Sequence, residues 1–469
     1  MKIWLTASFA ALLCLSSPLQ AEWLPGSQAI PQGFSEQLHK NVIVTGDYEC
    51  RIDLIIPGLE LTTAGTDAGI QFHDDFNSSL NAHISGYVNL PPTSTPHITV
   101  NKISYNEYDL DPSAMLNNPS EITWDDAEYS KSAVIHIGKP GIFRDLRIAP
   151  ISIKPYRIYP ETGKILVTSE ISITITFTEG STVNPKLNQR PLSPAFTDIY
   201  RSLVWNFTDD PADEITPLNY LIICPDDFVN AVTPLSDWKN QKGVKTTVVS
   251  FSQINANSQD EEIIRNYIES VYFYGENPPD YVLLVGDETQ FPIHLVYTQD
   301  PPTPFSYASY PGFYTNDNYF ACLEGDDYFP EVNIGRICAG NTTTVTLIVN
   351  KIIFYEKTPY TQSTDWYDRG IVCADQTEPT QRTTKMYVRD IMLDDGGFSQ
   401  VDSLYLGGQS SMLMGWINSG RSIINYRGSG WSNGWAGVNL YVGDLNSLQN
   451  YGTLMSSACE SIAGVVMIF

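Results

Sequence analysis

The fold of this chain follows from residues 280–287, which read DYVLLVGD. The five apolar residues Tyr281–Val285 show no alternation of apolar and polar positions, which is typical of a strand buried on both faces. A glycine and an acidic residue follow them and mark the end of the strand. We therefore predict an interior strand of a parallel sheet.

The same pattern recurs around this stretch. Short apolar runs occur at residues 220–224, 244–249, 371–373, 400–405, 422–427 and 453–458, and segments with helical spacing lie between them, ending at 238 and spanning 261–274, 384–393 and 411–418. Strands that alternate with helices predict an α/β domain with a mainly parallel sheet. Reactive groups in such sheets collect at the carboxyl ends of the strands.

The chain before residue 217 has a different pattern. Residues 40–180 are rich in alternating segments such as ISITITF at 171–177, which predict a mainly-β, sandwich-like domain. Residues 181–216 lose this periodicity and are rich in proline, which is typical of a linker. We therefore predict a β-rich domain at 22–180, a linker at 181–216 and an α/β domain at 217–469, with subdomains at about 217–360 and 361–469.

Residues 1–21 predict the destination of the protein. A lysine at position 2, an apolar run and a small residue at Ala21 are typical of a secretory signal peptide. We expect a secreted protein, extracellular or at the cell surface. No later run approaches the roughly 20 apolar residues that a transmembrane helix needs, so no membrane span is predicted.

Charge and cysteine content exclude some classes of partner and site. The formal net charge is −26, and a surface this acidic repels nucleic acid. The seven cysteines show no metal-ligand spacing, and Cys224 and Cys373 lie within apolar runs typical of core positions.

Two strand ends carry the candidate chemistry. Residues 423–430 read IINYRGSG and residues 454–459 read LMSSAC, so Ser429 and Cys459 follow neighbouring strands. Cys459 could be a nucleophile that attacks a peptide carbonyl, with the backbone near Gly430 supporting the oxyanion. It could equally be a small buried residue at the end of a core strand.

The second half of the chain resembles the gingipain family of secreted cysteine peptidases. The likeness rests on LLVGDETQFP at 283–292, DNY at 317–319, GDD at 325–327, PEVNIGR at 330–336, YE at 355–356, NYRGSG at 425–430 and AC at 458–459. The resemblance implies a caspase-like α/β catalytic domain, a β-rich prosegment, a polypeptide substrate and Cys459 as nucleophile. It also implies that no cofactor is required for the reaction, and that calcium is bound as in other family members.

The chain departs from the family pattern at three places. Ser429 stands where the family has its catalytic histidine, and the acidic residue that orients that histidine falls near Asp375 and Gln376. Residues 380–384 lack the acidic residue of the arginine- and lysine-specific members. The chain also ends ten residues after Cys459, whereas family members continue, which is what a truncated reading frame would give.

The missing histidine leaves two functional hypotheses. The chain is either a gingipain-like cysteine endopeptidase with a compensating base, or a non-catalytic pseudopeptidase that binds a protein ligand. His294, in the loop after the strand at 281–285, is the one histidine of the α/β half and the candidate substitute base. A serine hydroxyl cannot take this role, because its pKa is far from neutrality.

An acidic loop is the candidate calcium site. Glu324, Asp326 and Asp327, with Asp317 nearby, offer the hard oxygen ligands that Ca²⁺ prefers. Acidic loops are also commonly solvated without a metal, so both interpretations stay open.

Overall fold

The structure is a computed structural model that describes most of the chain. The described residues are 21–26, 38–46, 48–62, 69–71, 83–109, 135–159, 162–208, 216–297, 313–358, 364–375, 379–405, 410–428, 430–431, 434–435, 437–441, 443–444, 454–459 and 467–468. Ser429 and residues 1–20 of the predicted signal peptide therefore lie outside the described residues. The chain divides into two compact units, residues 1–85, 97–137 and 151–176 in the first, and 86–96, 138–150 and 177–469 in the second.

The first half of the chain is mainly β, as predicted. Its strands are β1 (Ala21–Pro25), β2 (His39–Val44), β3 (Glu49–Ile55), β4 (Gly58–Thr62), β5 (Gly69–Gln71), β6 (Ile84–Leu90), β7 (Ser94–Asp109), β8 (Ile135–Ile137), β9 (Gly141–Phe143), β10 (Leu146–Ile153), β11 (Tyr156–Tyr159) and β12 (Lys164–Glu179). In the first unit, the sheet β11-β12-β3-β2 is antiparallel at each registered pair, and Ile173 lies opposite Ile52 in its buried interior.

The second half alternates strands and helices. Its helices are α1 (Pro194–Leu203), α2 (Val229–Gln241), α3 (Phe251–Ile254), α4 (Glu261–Tyr274), α5 (Thr342–Lys357), α6 (Pro379–Asp394) and α7 (Ser410–Asn418). Its strands are β13 (Asn219–Cys224), β14 (Lys245–Ser250), β15 (Tyr281–Val285), β16 (Leu295–Tyr297), β17 (Phe313–Thr315), β18 (Asn333–Ile337), β19 (Arg369–Ala374), β20 (Gln400–Leu404), β21 (Ile423–Gly428), β22 (Gly430–Trp431), β23 (Gly434–Trp435), β24 (Leu440–Tyr441), β25 (Leu454–Cys459) and β26 (Met467–Ile468).

These strands form two main sheets, which we call sheet A and sheet B. Sheet A has the order β14-β13-β15-β18, and all its pairs are parallel. Sheet B has the order β20-β19-β21-β25-β26, parallel except for the last pair. The predicted α/β class with a mainly parallel sheet is therefore confirmed.

Both sheets are covered on two faces, which explains their continuously apolar strands. On sheet A, Leu284 belongs to a core cluster that includes α4 residues, while Leu283 belongs to a second cluster that includes α2 and α5 residues. On sheet B, Ile424 packs with α7, and Val372 packs with Met392 of α6. Cys224 and Cys373 are fully buried, as their apolar surroundings predict.

A buried arginine holds the hairpin β9-β10 against the amino-terminal edge of sheet A. Arg144, at the turn of the hairpin, has a positive φ of 48° and is 6% exposed. Its Nη2 donates to Asp280 Oδ1 at 2.7 Å, and its Nη1 donates to the carbonyls of Pro279 and Glu331 at 2.7 and 2.6 Å. Asp280 Oδ2 accepts from the backbone amide of Asn219 at 2.7 Å, so one carboxylate joins the starts of β13 and β15 to the hairpin.

The segment predicted as a linker contains more regular structure than its composition indicates. Helix α1 begins after Ser193, whose hydroxyl accepts from the amide of Ala195. Phe196 and Tyr200 of this helix are fully buried and pack against Phe143. Residues 181–216 therefore contain a short helix although they lack clear periodicity. The helix begins with Pro194, and proline is common at the first position of a helix.

A membrane-crossing helix is not found among the described residues, where no helix is both long and apolar enough.

We predict that Arg144→Ala lowers the free energy of unfolding by about 3 kcal/mol. The substitution leaves the carboxylate of Asp280 buried without its cation, and breaking a buried pair costs several kcal/mol. Chemical denaturation followed by tryptophan fluorescence measures the change. The matched control is Arg201→Ala, which removes an arginine that is 52% exposed and pairs with Asp198 on the surface. This control should cost less than about 1 kcal/mol, and equal losses in the two variants would contradict the prediction.

Candidate active site

The carboxyl ends of three neighbouring strands of sheet B define the candidate site. Gly428 at the end of β21 is in register with Cys459 at the end of β25. On the other side, the amide of Asp375 donates to the carbonyl of Arg427 at 2.9 Å, one residue past the last registered pair of β19 and β21. Asp375, Gly428 and Cys459 therefore lie in one row across the sheet, with neighbouring strands roughly 4.8 Å apart.

Two glycines enclose Asp375, which is 3% exposed. A Cβ atom at position 428 would lie 2.3 Å from the Cβ of Asp375, and one at position 437 would lie 2.7 Å from its Cα. Gly437 also has a φ of +70°, which favours glycine. The absence of side chains at both positions lets the chain pass close to this acidic residue.

The predicted site residues next to this row are only partly described. Ser429 lies outside the described residues, and Cys459 is described by its backbone alone. Gly430 begins β22 and pairs with Trp435 of β23. Trp435 is 7% exposed and stacks on Tyr426 with ring centroids 4.5 Å apart, so it packs on the face of β21 that also contacts α7.

His294 lies beside sheet A and has partners there. Its ring stacks on Tyr319 with centroids 3.8 Å apart and an angle of 7° between the planes. Its Nδ1 lies 3.4 Å from Oε1 of Glu261, at the start of α4. Among the described residues, no contact joins His294 to the row at the edge of sheet B.

The acidic loop predicted as a calcium site already receives donors from the protein. Asp317 accepts from two guanidinium nitrogens of Arg336, Nε at 2.8 Å and Nη2 at 2.6 Å. Lys186 Nζ donates to Glu324 Oε2 at 2.6 Å, and Lys139 Nζ lies 3.1 Å from Asp326 Oδ2.

Asp327 is occupied in the same way. Its Oδ2 accepts from the amide of Ile142 at 2.9 Å and from Asn184 at 3.2 Å, and burial raises the pKa of this carboxyl group. Within the described ranges, no group of three or more His, Cys, Asp or Glu side chains could hold a metal ion. The four carboxylates therefore do not converge as Ca²⁺ requires.

A cationic corner lies at the same edge of sheet B, on the face that packs against α6. Lys385 of α6 is 3% exposed and donates to Oδ1 of Asn425 on β21. Arg427, two residues further along β21, donates through Nη1 to Oγ1 of Thr384. Burial, and the positive charge of Arg427, lower the pKa of Lys385 to about 8.

Comparison with known proteins identifies the family. The model of Peptidase family C25 matches residues 213–463, and the model Propeptide_C25 matches residues 97–212.

The chain belongs to peptidase family C25.

Among curated C25 relatives, the chain is similar to gingipains of Porphyromonas gingivalis, which confirms the resemblance found in the sequence. It is 22% identical to Gingipain R2 over 356 residues, covering 72% of this chain and 46% of the relative. It is 23% identical to Gingipain R1 over 327 residues, covering 67% of this chain and 31% of the relative. The chain thus spans less than half the length of these curated relatives.

A solved structure shows a weaker likeness to this C25 chain. The crystal structure of the Arg specific cysteine proteinase gingipain R is 20% identical, with a TM-score of 0.44 over 53% of this chain and 55% of that chain.

Sequence reasoning missed the cationic corner of this C25 protein. Asn425 and Arg427 were noted only as part of a motif, and Lys385 lay within a segment assigned to a helix. A signal was available, because Asn425 and Arg427 are polar at alternating positions of an otherwise apolar strand, and Gln381 and Lys385 are four residues apart on one helix face.

We predict that Lys385→Met stabilises the protein at pH 7 by about 1 kcal/mol, because it removes a desolvated cation next to a second one. The folded pKa of Lys385, about 8, is below its ordinary value of 10.5, so the unfolded chain binds more protons between these values. Wild-type stability therefore rises relative to the variant as pH increases from 8 to 10.5, and the difference shrinks. Urea denaturation at pH 7 and pH 9.5 measures this.

The control for this prediction is Arg382→Met, which changes an exposed arginine of the same helix. It should change stability by less than about 0.5 kcal/mol at both pH values. A loss of stability in Lys385→Met at pH 7 would contradict the prediction.

Proposed function

We propose that this C25 protein is a secreted, gingipain-like cysteine endopeptidase in which Cys459 is the nucleophile and the histidine is missing at Ser429. The observation that carries the proposal is the row formed by Asp375, Gly428 and Cys459 at the carboxyl edge of sheet B. A residue at position 429 follows directly after the middle of this row. The row supports the proposal because an acidic residue and the proposed nucleophile flank Gly428, the residue that precedes position 429 in the sequence.

The proposed chemistry is acyl transfer. The thiolate of Cys459 attacks the carbonyl carbon of a peptide bond, and the negative charge moves to the carbonyl oxygen. Backbone amides at Cys459 and around Gly430 would donate to this oxyanion. The C–N bond then breaks, the amine leaves with a proton, and water hydrolyses the thioester.

The missing histidine limits this reaction at two points. A base must take the proton of the thiol, and an acid must give a proton to the leaving amine. Asp375 would orient such a base but cannot replace it in both steps while it is enclosed behind Gly428 and Gly437. Loss of a positioned acid–base group costs about 100- to 10,000-fold in rate. We therefore expect slow turnover by the natural chain.

The second candidate is a non-catalytic pseudopeptidase that binds a protein ligand in the extracellular space or at the cell surface. One observation favours it. The imidazole of His294 is held between Tyr319 and Glu261 beside sheet A, so the candidate substitute base already has partners in the described structure.

The organisation that goes with both candidates is a signal peptide at 1–21, a prosegment-like region at 22–180 and a peptidase-like region from about 217. The buried contact of Arg144 with Asp280 in the second unit supports the idea that part of the prosegment-like region is packed before any processing.

We predict that a thiol-directed peptide electrophile labels Cys459 faster than free cysteine at pH 7, and that Ser429→His raises this rate at least tenfold. The reason is that a histidine between Asp375 and Cys459 would generate the thiolate, which is the reactive form. Mass spectrometry of the labelled peptides measures the rate at each cysteine.

Cys338 gives this experiment an internal reference. It is a free cysteine in an exposed position, and partial desolvation of its thiol raises its pKa, so it should label slowly in each variant. Cys459→Ala is the matched control and should remove only the fast label. If Cys459 labels no faster than free cysteine and Ser429→His does not change the rate, the endopeptidase proposal is lost and the pseudopeptidase remains.

A further inference from the structure

The inner face of α6 changes in character along its length. Met392, near the carboxyl end of the helix, packs with Val372 and Val401 in an apolar cluster. About two and three turns earlier, Lys385 and Gln381 occupy the same face and are 3% and 2% exposed. The helix therefore becomes polar and cationic toward the carboxyl edge of sheet B, although its side chains stay buried.

The facing side of β21 changes in the same direction. Ile423 packs against the apolar cluster of Met392. Asn425 and Arg427, which follow at alternating positions, contact Lys385 and Thr384 instead. Two neighbouring elements thus bring their polar ends together at one corner.

The neighbours of Arg427 across the sheet are small. Ala374 of β19 and Ala458 of β25 are both in register with it. Paired residues of parallel strands share a face of the sheet, so Ala374 gives the long arginine side chain only a small neighbour on the β19 side. Arg427 itself is partly exposed.

Within the described residues, the two cations use only a small part of their hydrogen-bonding capacity. A guanidinium has five N–H donors and an ammonium has three. In the described part of the chain, Arg427 donates through its side chain to Thr384, and Lys385 donates to Asn425. No carboxylate among the described residues forms a salt bridge with either one.

Two like charges held this way raise the free energy of the folded chain unless an anion joins them. The lowered pKa of Lys385 reflects this cost. Proteins keep such costs mainly where function needs them. We propose that Arg427 and Lys385 form a subsite that binds the carboxylate of an aspartate or glutamate side chain in the polypeptide attacked by Cys459.

The position of the corner favours a peptide carboxylate as the anion. Arg427 immediately precedes Gly428, which is in register with Cys459, so a polypeptide lying across this edge reaches both. The planar guanidinium matches the two oxygens of a carboxylate. The net charge of −26 repels large polyanions, whereas a peptide with one acidic side chain among neutral residues is repelled only weakly.

This inference rests on the proposed function, and the experiment separates the two. In the full chain, labelling of Cys459 is compared for peptide electrophiles with Glu, Gln or Lys next to the reactive group. The glutamate probe should react about tenfold faster than the glutamine probe, since a hydrogen-bonded charge pair contributes on that order. Arg427→Gln should bring the two rates together, and Lys385→Met should reduce their ratio.

A second readout does not need a reactive cysteine. In a Cys459→Ala chain, fluorescence anisotropy compares binding of unreactive peptide amides that contain Glu or Gln. If no probe labels Cys459 but the glutamate peptide still binds more tightly through Arg427, the proposed endopeptidase fails and the subsite stands. Equal binding of the two peptides would overturn the subsite. Tighter binding of inorganic phosphate than of the glutamate peptide, measured by competition, would also overturn it.

The matched control is Arg382→Gln, an exposed arginine on the same helix whose guanidinium lies 5.8 Å from the ring centre of Tyr405. It should leave the preference for glutamate unchanged. Arg427→Lys keeps the charge and should keep part of the preference, which a purely structural role of Arg427 would not produce. Thermal unfolding checks that each variant folds. If Arg427→Gln does not fold, the effect of Lys385→Met on the preference for glutamate decides whether the subsite exists.

Discussion

The parallel pairing of β21 with β19 and β25 is the constraint on which the candidate site depends. Its backbone hydrogen bonds fix the register, and the register sets Asp375, Gly428 and Cys459 in one row. A shift of one residue would move the side chains to the opposite face. The apolar residues of β21 resist this shift, because Ile424 and Ile423 pack on different sides of the sheet.

Two arginines, one at the amino-terminal edge of sheet A and one at the carboxyl edge of sheet B, show two different uses of charge in this C25 protein. Arg144, at the amino-terminal edge of sheet A, has a carboxylate and two carbonyls as partners, so its charge is neutralised and its role is to hold the hairpin. Arg427, at the carboxyl edge of sheet B, has a threonine hydroxyl and a lysine as neighbours. The first arrangement stabilises the fold, whereas the second leaves a positive charge with which the carboxylate of the proposed ligand would pair.

Much of the α/β architecture could be predicted from the sequence. The apolar runs located β13, β15 and β21 to within a residue or two, because strands buried on both faces need apolar residues at every position. The gingipain resemblance also predicts that position 429 lies beside Cys459, and this stays a prediction because Ser429 lies outside the described residues. The partners of the acidic loop could not be predicted, because Lys186 and Asn184 are more than a hundred residues away in sequence.

The sequence by itself determined the family and the order of strands and helices, because these depend on residue identity and local spacing. The tertiary structure decided which side chains share a site. Lys385 and Arg427 meet only because α6 packs on β21, Asp375 joins the row only through the pairing of β19 with β21, and His294 is held by Tyr319 and Glu261. These contacts join residues distant in sequence, so their consequences for charge and reactivity depend on the folded chain.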